Sequence, residues 1–151
     1  MNLREVLRIG LVGCVKQKAS RAMPAADLYE STLFEGRRAF VKLSCDRWWI
    51  LSAEHGLVHP ASVLEPYDRA LKDMGRAERR AWSEHVLRSL DDAEGDLDGA
   101  VVEIHAGAEY RDFGVTDGLR RRGCQVEVPT EGMRIGRQLQ FYAQARHHGD
   151  G

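Results

Sequence analysis

The sequence carries no long apolar run. The longest near its start, Ile9–Val15, is interrupted by Gly10 and Gly13 and falls well short of the about 20 residues that cross a bilayer. No small-residue cleavage signal follows it, so no signal peptide or membrane anchor is expected, and a cytoplasmic location is. Cysteine is scarce: Cys14, Cys45 and Cys124 are odd in number, widely spaced and without a C-x-x-C pair. That excludes a disulfide framework and a zinc ribbon, and it suits a reducing compartment. An excess of one charge is also missing, since 22 basic residues against 23 acidic ones leave a formal net charge of -1. A globally basic nucleic-acid coat is thereby excluded, a local basic groove is not. No Pro/Gly/Ser-rich linker divides the chain and no internal repeat is found.

What is present reads as one α/β domain. The chain has 151 residues, 43% of them hydrophobic, enough to fold without a metal or disulfide staple. Residues 1–146 are assigned to that domain and 147–151 to a tail expected to be disordered, fraying from Arg146. Four apolar runs, Arg8–Gly13, Arg47–Ser52, Ala100–His105 and Gln125–Val128, are continuous rather than alternating, as strands covered on both faces are. Adjacent Trp48 and Trp49 must point to opposite faces of their strand. Between the strands lie helical stretches. Thr32-Leu33-Phe34-Glu35 has capping-box spacing and opens a helix through Lys42. Trp82, Val86 and Leu90 repeat at helical spacing after a polar start near Arg76. Arg120–Arg122 followed by Gly123 mark a helix stop, and Asp91–Asp98 reads as a solvated acidic loop. Ile135, Leu139 and Tyr142 form one face of a last helix with Thr130 as N-cap. The alternation predicts a mainly parallel sheet of about four or more strands flanked by helices.

Ligands of open α/β sheets bind beyond the carboxyl ends of the strands, and here those ends are rich in polar and reactive types. The first is followed by Cys14, Lys16, Lys18 and Arg21, without P-loop spacing. The second is followed by Ser52, Glu54, His55 and Gly56 and a loop to about Met74 that also holds Tyr67 and Asp68. A loop this long, too apolar for disorder and stiffened by Pro60 and Pro66, is expected to be functional. His55 is a candidate general acid or base, and Gly56 after it implies a turn with positive φ or a close ligand approach. His55 and His59 have ligand spacing, but Gly56 and Pro60 argue against the helix that would bring them together, so no metal site is expected. The third strand ends in His105, then Gly107, Glu109 and Tyr110, a glycine turn into a helix start. After the fourth, Gly132 and Gly136 bracket Arg134, and Gln138 lies one turn on as a solvated helix residue.

These segments carry a resemblance. Val12-Gly13-Cys14-Val15-Lys16-Gln17-Lys18 and Ala26–Phe34 are followed by Ile50-Leu51-Ser52-Ala53-Glu54-His55-Gly56-Leu57 and Glu65-Pro66-Tyr67-Asp68. With Ile104-His105-Ala106-Gly107 to Tyr110 and Gly132–Leu139, they resemble a family of small bacterial and phage proteins with no assigned function. More distantly the set is similar to the YaaA-like peroxide-stress proteins, to the core domain of archaeosine synthase and to DNA glycosylase-like base-processing proteins. The resemblance implies work on a nucleobase or DNA binding. It also implies a key role for a lysine in the Cys-containing first motif, here Lys16 or Lys18. No added RNA-binding module is expected, which counts against transfer RNA as the substrate.

Two readings follow. In the first, the chain is an enzyme cleaving or exchanging the N-glycosidic bond of a nucleoside, nucleotide or nucleic acid. His55, Asp68 and Lys18 are its catalytic candidates, and Cys14, Lys16, Ser52, Glu54, Gly56, Tyr67, His105, Gly107 and Tyr110 its substrate-binding candidates. Asp68 would stabilise the sugar cation, His55 would protonate the leaving base, the lysines would hold phosphate and Tyr67 or Tyr110 would stack on the base. No cofactor and no membrane are expected. In the second, the chain only binds nucleic acid or a nucleotide, with Lys16, Lys18, Arg21, Arg37, Arg38 and Arg134 as phosphate contacts and a steep salt dependence.

Overall fold

The continuous apolar runs do form the central strands. The structure is a computed structural model and describes residues 6–14, 21–29 and 31–149. In chain order it contains β1 (Arg8–Gly13), β2 (Met23–Pro24), α1 (Ala25–Leu28), α2 (Thr32–Ser44), β3 (Arg47–Ser52), β4 (Gly56–Val58) and β5 (Val63–Leu64). A 3-10 turn (Leu71–Asp73), α3 (Arg76–Glu94), β6 (Val101–His105), α4 (Ala108–Arg111), α5 (Val115–Arg121), β7 (Gln125–Glu127) and α6 (Ile135–Gly149) complete it. Five strands make one sheet in the order β4-β3-β1-β6-β7. The pairs of β1 with β3, β1 with β6 and β6 with β7 are parallel, while β4 runs back antiparallel beside β3. The chain is thus a single α/β domain around a mainly parallel sheet.

Strand alternation sorts the core into two faces. Ile9 and Leu11 of β1, Leu51 of β3 and Val102 and Ile104 of β6 pack with Trp82, Val86 and Leu90 of α3 and Val115 and Leu119 of α5. On the other face Val12 and Ile50 pack with Phe34 and Val41 of α2. Trp49 joins the first cluster and Trp48 the second, as adjacent strand residues must. α6 lies along α2 at close range. A Cβ on Gly36 would stand 2.8 Å from Cβ of Tyr142, so only glycine permits that approach.

Several local expectations change. The N-cap of α2 is Ser31, whose hydroxyl accepts from the Phe34 N–H at 2.9 Å, and Thr32 is already helical. The capping-box spacing is therefore displaced by one residue. The acidic stretch from Asp91 starts inside α3 and is paired. Arg122 donates to both Asp91 oxygens at 2.8 Å, and Glu94 receives Arg47 at 3.1 Å and the Trp49 indole N–H at 3.0 Å. Thr130 lies too far ahead of α6 to cap it, and Ile135, expected on its buried face, is 64% exposed. That helix continues to Gly149, beyond the Arg146 at which fraying is expected.

The long loop is not free of regular structure. Its β5 segment pairs antiparallel with β2, Met23 opposite Leu64 and Pro24 opposite Val63. The Ala25 N–H donates to the Ser62 carbonyl at 2.6 Å and the Ala26 N–H to the Pro60 carbonyl at 2.8 Å, pinning the loop to α1. Among the described residues no helix is long and apolar enough to cross a membrane.

Candidate functional site

β1 leads into the face that carries α2 and β6 into the face that carries α4 and α5. Two neighbouring parallel strands whose connections diverge leave a crevice at their carboxyl ends. A cavity of about 600 Å³ opens there, within the about 300–1,000 Å³ of small-molecule sites. Cys14 lines it from the end of β1, and Gly107, Glu109 and Tyr110 from beyond β6. Leu33 and Arg37 of α2, Asp68 to Asp73 of the long loop, and Ile135 and Gln138 of α6 close it.

Cys14 is fixed by its N–H, which donates to the Leu51 carbonyl at 3.0 Å. Its sulfur lies 3.0 Å from the Tyr110 hydroxyl. Tyr110 is buried, and burial, with Cys14 beside it, raises its phenol above the ordinary value. Next to this pair runs a chain of hydroxyls. Ser52, fully buried, donates to the Tyr67 hydroxyl at 2.7 Å, and Tyr67 lies 2.5 Å from the Tyr29 hydroxyl. Burial pushes Tyr29 up to about 12, against the lowering effect of its bond with Tyr67, and burial raises Tyr67 as well. These phenols stay protonated at neutral pH and act as hydrogen-bond donors rather than as bases.

The root of the long loop is built on Ser52. The same hydroxyl accepts the His55 N–H at 3.0 Å, and the Ser52 carbonyl accepts the Trp82 indole N–H at 2.9 Å. Gly56 has φ +74°, and a Cβ there would stand 2.7 Å from Cδ2 of His85, so the glycine serves a turn and the approach of α3. The His55 ring is exposed and meets Tyr67 edge-on at 5.2 Å. Glu54 is exposed too, 3.8 Å from Arg69. His55, Glu54, Ser52 and Tyr67 thus form a cluster beside the cavity and are not among the residues that line it.

His105 lies elsewhere. It is fully buried under α2 and α6, its ring 5.0 Å from Phe40. Its Nε2 is 3.1 Å from Glu103 and its Nδ1 2.7 Å from the Tyr142 hydroxyl. Glu103 also receives Arg8 at 2.6 Å and the Ser44 hydroxyl at 3.0 Å. Burial lowers the His105 pKa, so the ring is neutral: Nε2–H donates to the carboxylate and Nδ1 accepts from Tyr142. His105 contacts no ligand site and instead ties α6 to β6. Among the described residues no group of three or more His, Cys, Asp or Glu side chains could hold a metal ion. Lys16 and Lys18 lie outside the described residues.

A family model matches residues 9–144, from the first strand through the last helix, and so takes in the cavity and its lining. The chain belongs to DUF6884, a family of unknown function. No curated protein matches it. In this DUF6884 chain the matched region brings Cys14, Asp68, Gly107, Glu109 and Tyr110 together, and it adds Asp73, Gln138 and Arg37.

With Asp68 and Asp73 of the long loop, Glu109, half-buried in the first turn of α4, makes three carboxylates on the cavity wall. Gln138 is not solvated: its Oε1 accepts from Arg37 at 3.2 Å and its Nε2 donates to the Met133 carbonyl at 2.9 Å. Arg37, read from sequence as a surface phosphate contact, is only 6% exposed. A signal for it exists: Phe34, Arg37 and Val41 fall on one helical stripe, so the cation sits in the buried face of α2. The DUF6884 cavity therefore combines three carboxylates, a buried guanidinium and a thiol–phenol pair. That set can stabilise opposite charges at two points of one ligand.

Proposed function

We propose that this DUF6884 chain is an enzyme acting on the N-glycosidic bond of a nucleoside or nucleotide, with base and sugar held in the cavity between β1 and β6. One observation carries the reading: Asp68 of the long loop and Glu109 of α4, from different elements, both line that cavity. Glycosidic cleavage builds positive charge on the sugar and negative charge on the departing base, and a pair of carboxyl groups serves both ends. Asp68 stabilises the sugar cation or orients water. Glu109 delivers the proton to the base, a role that falls to it rather than to His55 because His55 is not part of the lining. The phenol of Tyr110 and the amide of Gln138 supply hydrogen bonds to the base.

The test is a mass-spectrometric search for released base from nucleosides, nucleotides, DNA and RNA. General acid–base groups are worth about 10²–10⁴ in rate, so Asp68→Asn and Glu109→Gln should each lose at least about a hundredfold in turnover with unchanged melting temperature. His55→Ala is expected to lose less. Full turnover in both carboxylate variants overturns the assignment. No release from any pool, with salt-sensitive binding to one, would instead favour a binding module. Within its described basic set, Arg37 is too deep for the backbone of a nucleic-acid strand and Arg38 is held by the Ala26 carbonyl at 2.7 Å and Asp27 at 3.5 Å, which leaves Arg21 and Arg134 exposed for such contacts.

A further inference from the structure

Among the described residues, Arg37 is a buried cation with no ion-pair partner. A guanidinium keeps its charge in proteins and offers five N–H donors. Here one donor reaches the Gly13 carbonyl at 3.5 Å, which is long, another reaches Gln138 at 3.2 Å, and Nε has no acceptor. Tyr142 adds a neutral hydroxyl, and Glu109 is near enough to be felt electrostatically but forms no ion pair with it. The other cations on the cavity wall differ. Arg69 stands 3.8 Å from both Glu54 and Glu78, and Lys72 is exposed to water. A charge withdrawn from water needs an opposite charge or a full set of hydrogen bonds, and the described protein gives Arg37 neither. It does give it a place on the cavity wall.

We infer that Arg37 seats the anionic group of the substrate, and that this group is the terminal phosphate of a mononucleotide. The inference rests on the nucleoside reading of the cavity. The planar fork of arginine matches two phosphate oxygens, which a lysine cannot do. Depth selects a terminal group. A side chain 6% exposed can be met by the end of a ligand, whereas a phosphodiester inside a strand needs room for chain on both sides. A strut joining Gly13 to Gln138 is the competing explanation, and the two part company when the charge is removed. Deleting a strut weakens the fold. Deleting an uncompensated buried charge leaves the fold as stable or makes it more so, and it removes the ligand.

The experiment is a set of thermal melts on the full chain, wild type and Arg37→Met. The probes are inorganic phosphate, the ribo- and deoxyribonucleoside 5′-monophosphates, the matching nucleosides, and dinucleoside monophosphates, which carry only an internal phosphodiester. One or more monophosphates should bind wild type about tenfold or more tightly than the matching nucleoside, as a charge-assisted pair implies. In Arg37→Met that preference should vanish while the unliganded melting temperature holds or rises. Equal binding of nucleoside and monophosphate, absence of monophosphate binding, or a preference that survives in Arg37→Met overturns the inference. Dinucleoside monophosphates binding as tightly as mononucleotides overturns the terminal group. Should Arg37→Met fail to fold, Arg37→Lys decides: a weakened phosphate preference supports the seat and an unchanged one refutes it. Base release separates the two proposals. Release from nucleoside monophosphates that ignores Arg37→Met sinks the seat alone. Phosphate-dependent binding without release sinks the glycosidic reading alone.

Discussion

The two faces of the sheet are built from alternate residues of the same strands, yet they are held by different forces. On β6, Val102 and Ile104 enter an apolar layer with α3 and α5, while Glu103 and His105, one residue away, enter the layer under α2 and α6. The first face is held chiefly by apolar burial, with the indole bonds of Trp82 to Ser52 and Trp49 to Glu94 as its polar contacts. The second carries a directional chain from Arg8 through Glu103 and His105 to Tyr142. Hydrogen bonds fix angle and register where dispersion does not. The polar face thus sets where α6 stands, and with it Gln138 at the cavity and the contact that Gln138 makes with Arg37. Apolar burial stabilises both sides of the sheet, and the buried polar chain adds positioning on one of them.

The largest expected effect is on the apolar side. Leu11 is fully buried at the centre of that face. Leu11→Ala should destabilise the fold by about 2–5 kcal/mol, read as a lower urea midpoint with an unchanged slope. The polar side should show itself in acid. Burial raises the Glu103 carboxyl, but hydrogen bonds from His105, Arg8 and Ser44 outweigh it and hold it down to about 2. A carboxyl depressed in the folded state stabilises fully above its unfolded value near 4.5, and that stabilisation is lost as pH falls from there to about 2. By linkage the loss amounts to about 3 kcal/mol. His105, held neutral by burial, acts in the same direction from pH 6.5 downward. Melting temperature should therefore begin to fall below about pH 6.5 and fall faster below about 4.5, and Glu103→Gln should flatten the lower, steeper part. The smallest effect separates adjacent residues on α2. Ser31→Ala should cost about 1 kcal/mol as a lost N-cap, and Thr32→Ala much less. A larger loss in Thr32→Ala than in Ser31→Ala would return the cap to Thr32.

Much of the fold was legible because burial on both faces writes itself as an unbroken apolar run. Arg8–Gly13 and Arg47–Ser52 are strands with the expected limits, and α3 begins at Arg76 as its polar start implied. The strand β4 was hidden because three residues, Gly56–Val58, show no period and pair only through β3. Strand ends located half of the cavity, since Cys14, Gly107 and Tyr110 follow β1 and β6 wherever the helices stand. They could not reveal which helical residues close it. Ile135 and Tyr142 fit one periodic stripe, yet the helix turns Ile135 to the cavity rim and buries Tyr142, because α6 packs on α2 at Gly36 and reaches β6 through the Tyr142 bond to His105. His105 shows the converse: a polar residue at a strand end reads as a ligand contact, although its side of the strand faces α2 and α6.

The pinning of the long loop has a consequence for affinity. The β2–β5 pairing and the bonds from Ala25 and Ala26 settle the loop before Asp68 meets any ligand. The conformational entropy lost in ordering that segment belongs to folding and is not charged to association, so a ligand need supply little of it. A cut or a flexible insertion near Ala61 would return that cost to binding while leaving the five-stranded sheet intact. The loss would then appear as weaker affinity, with little change in the rate of the bound complex.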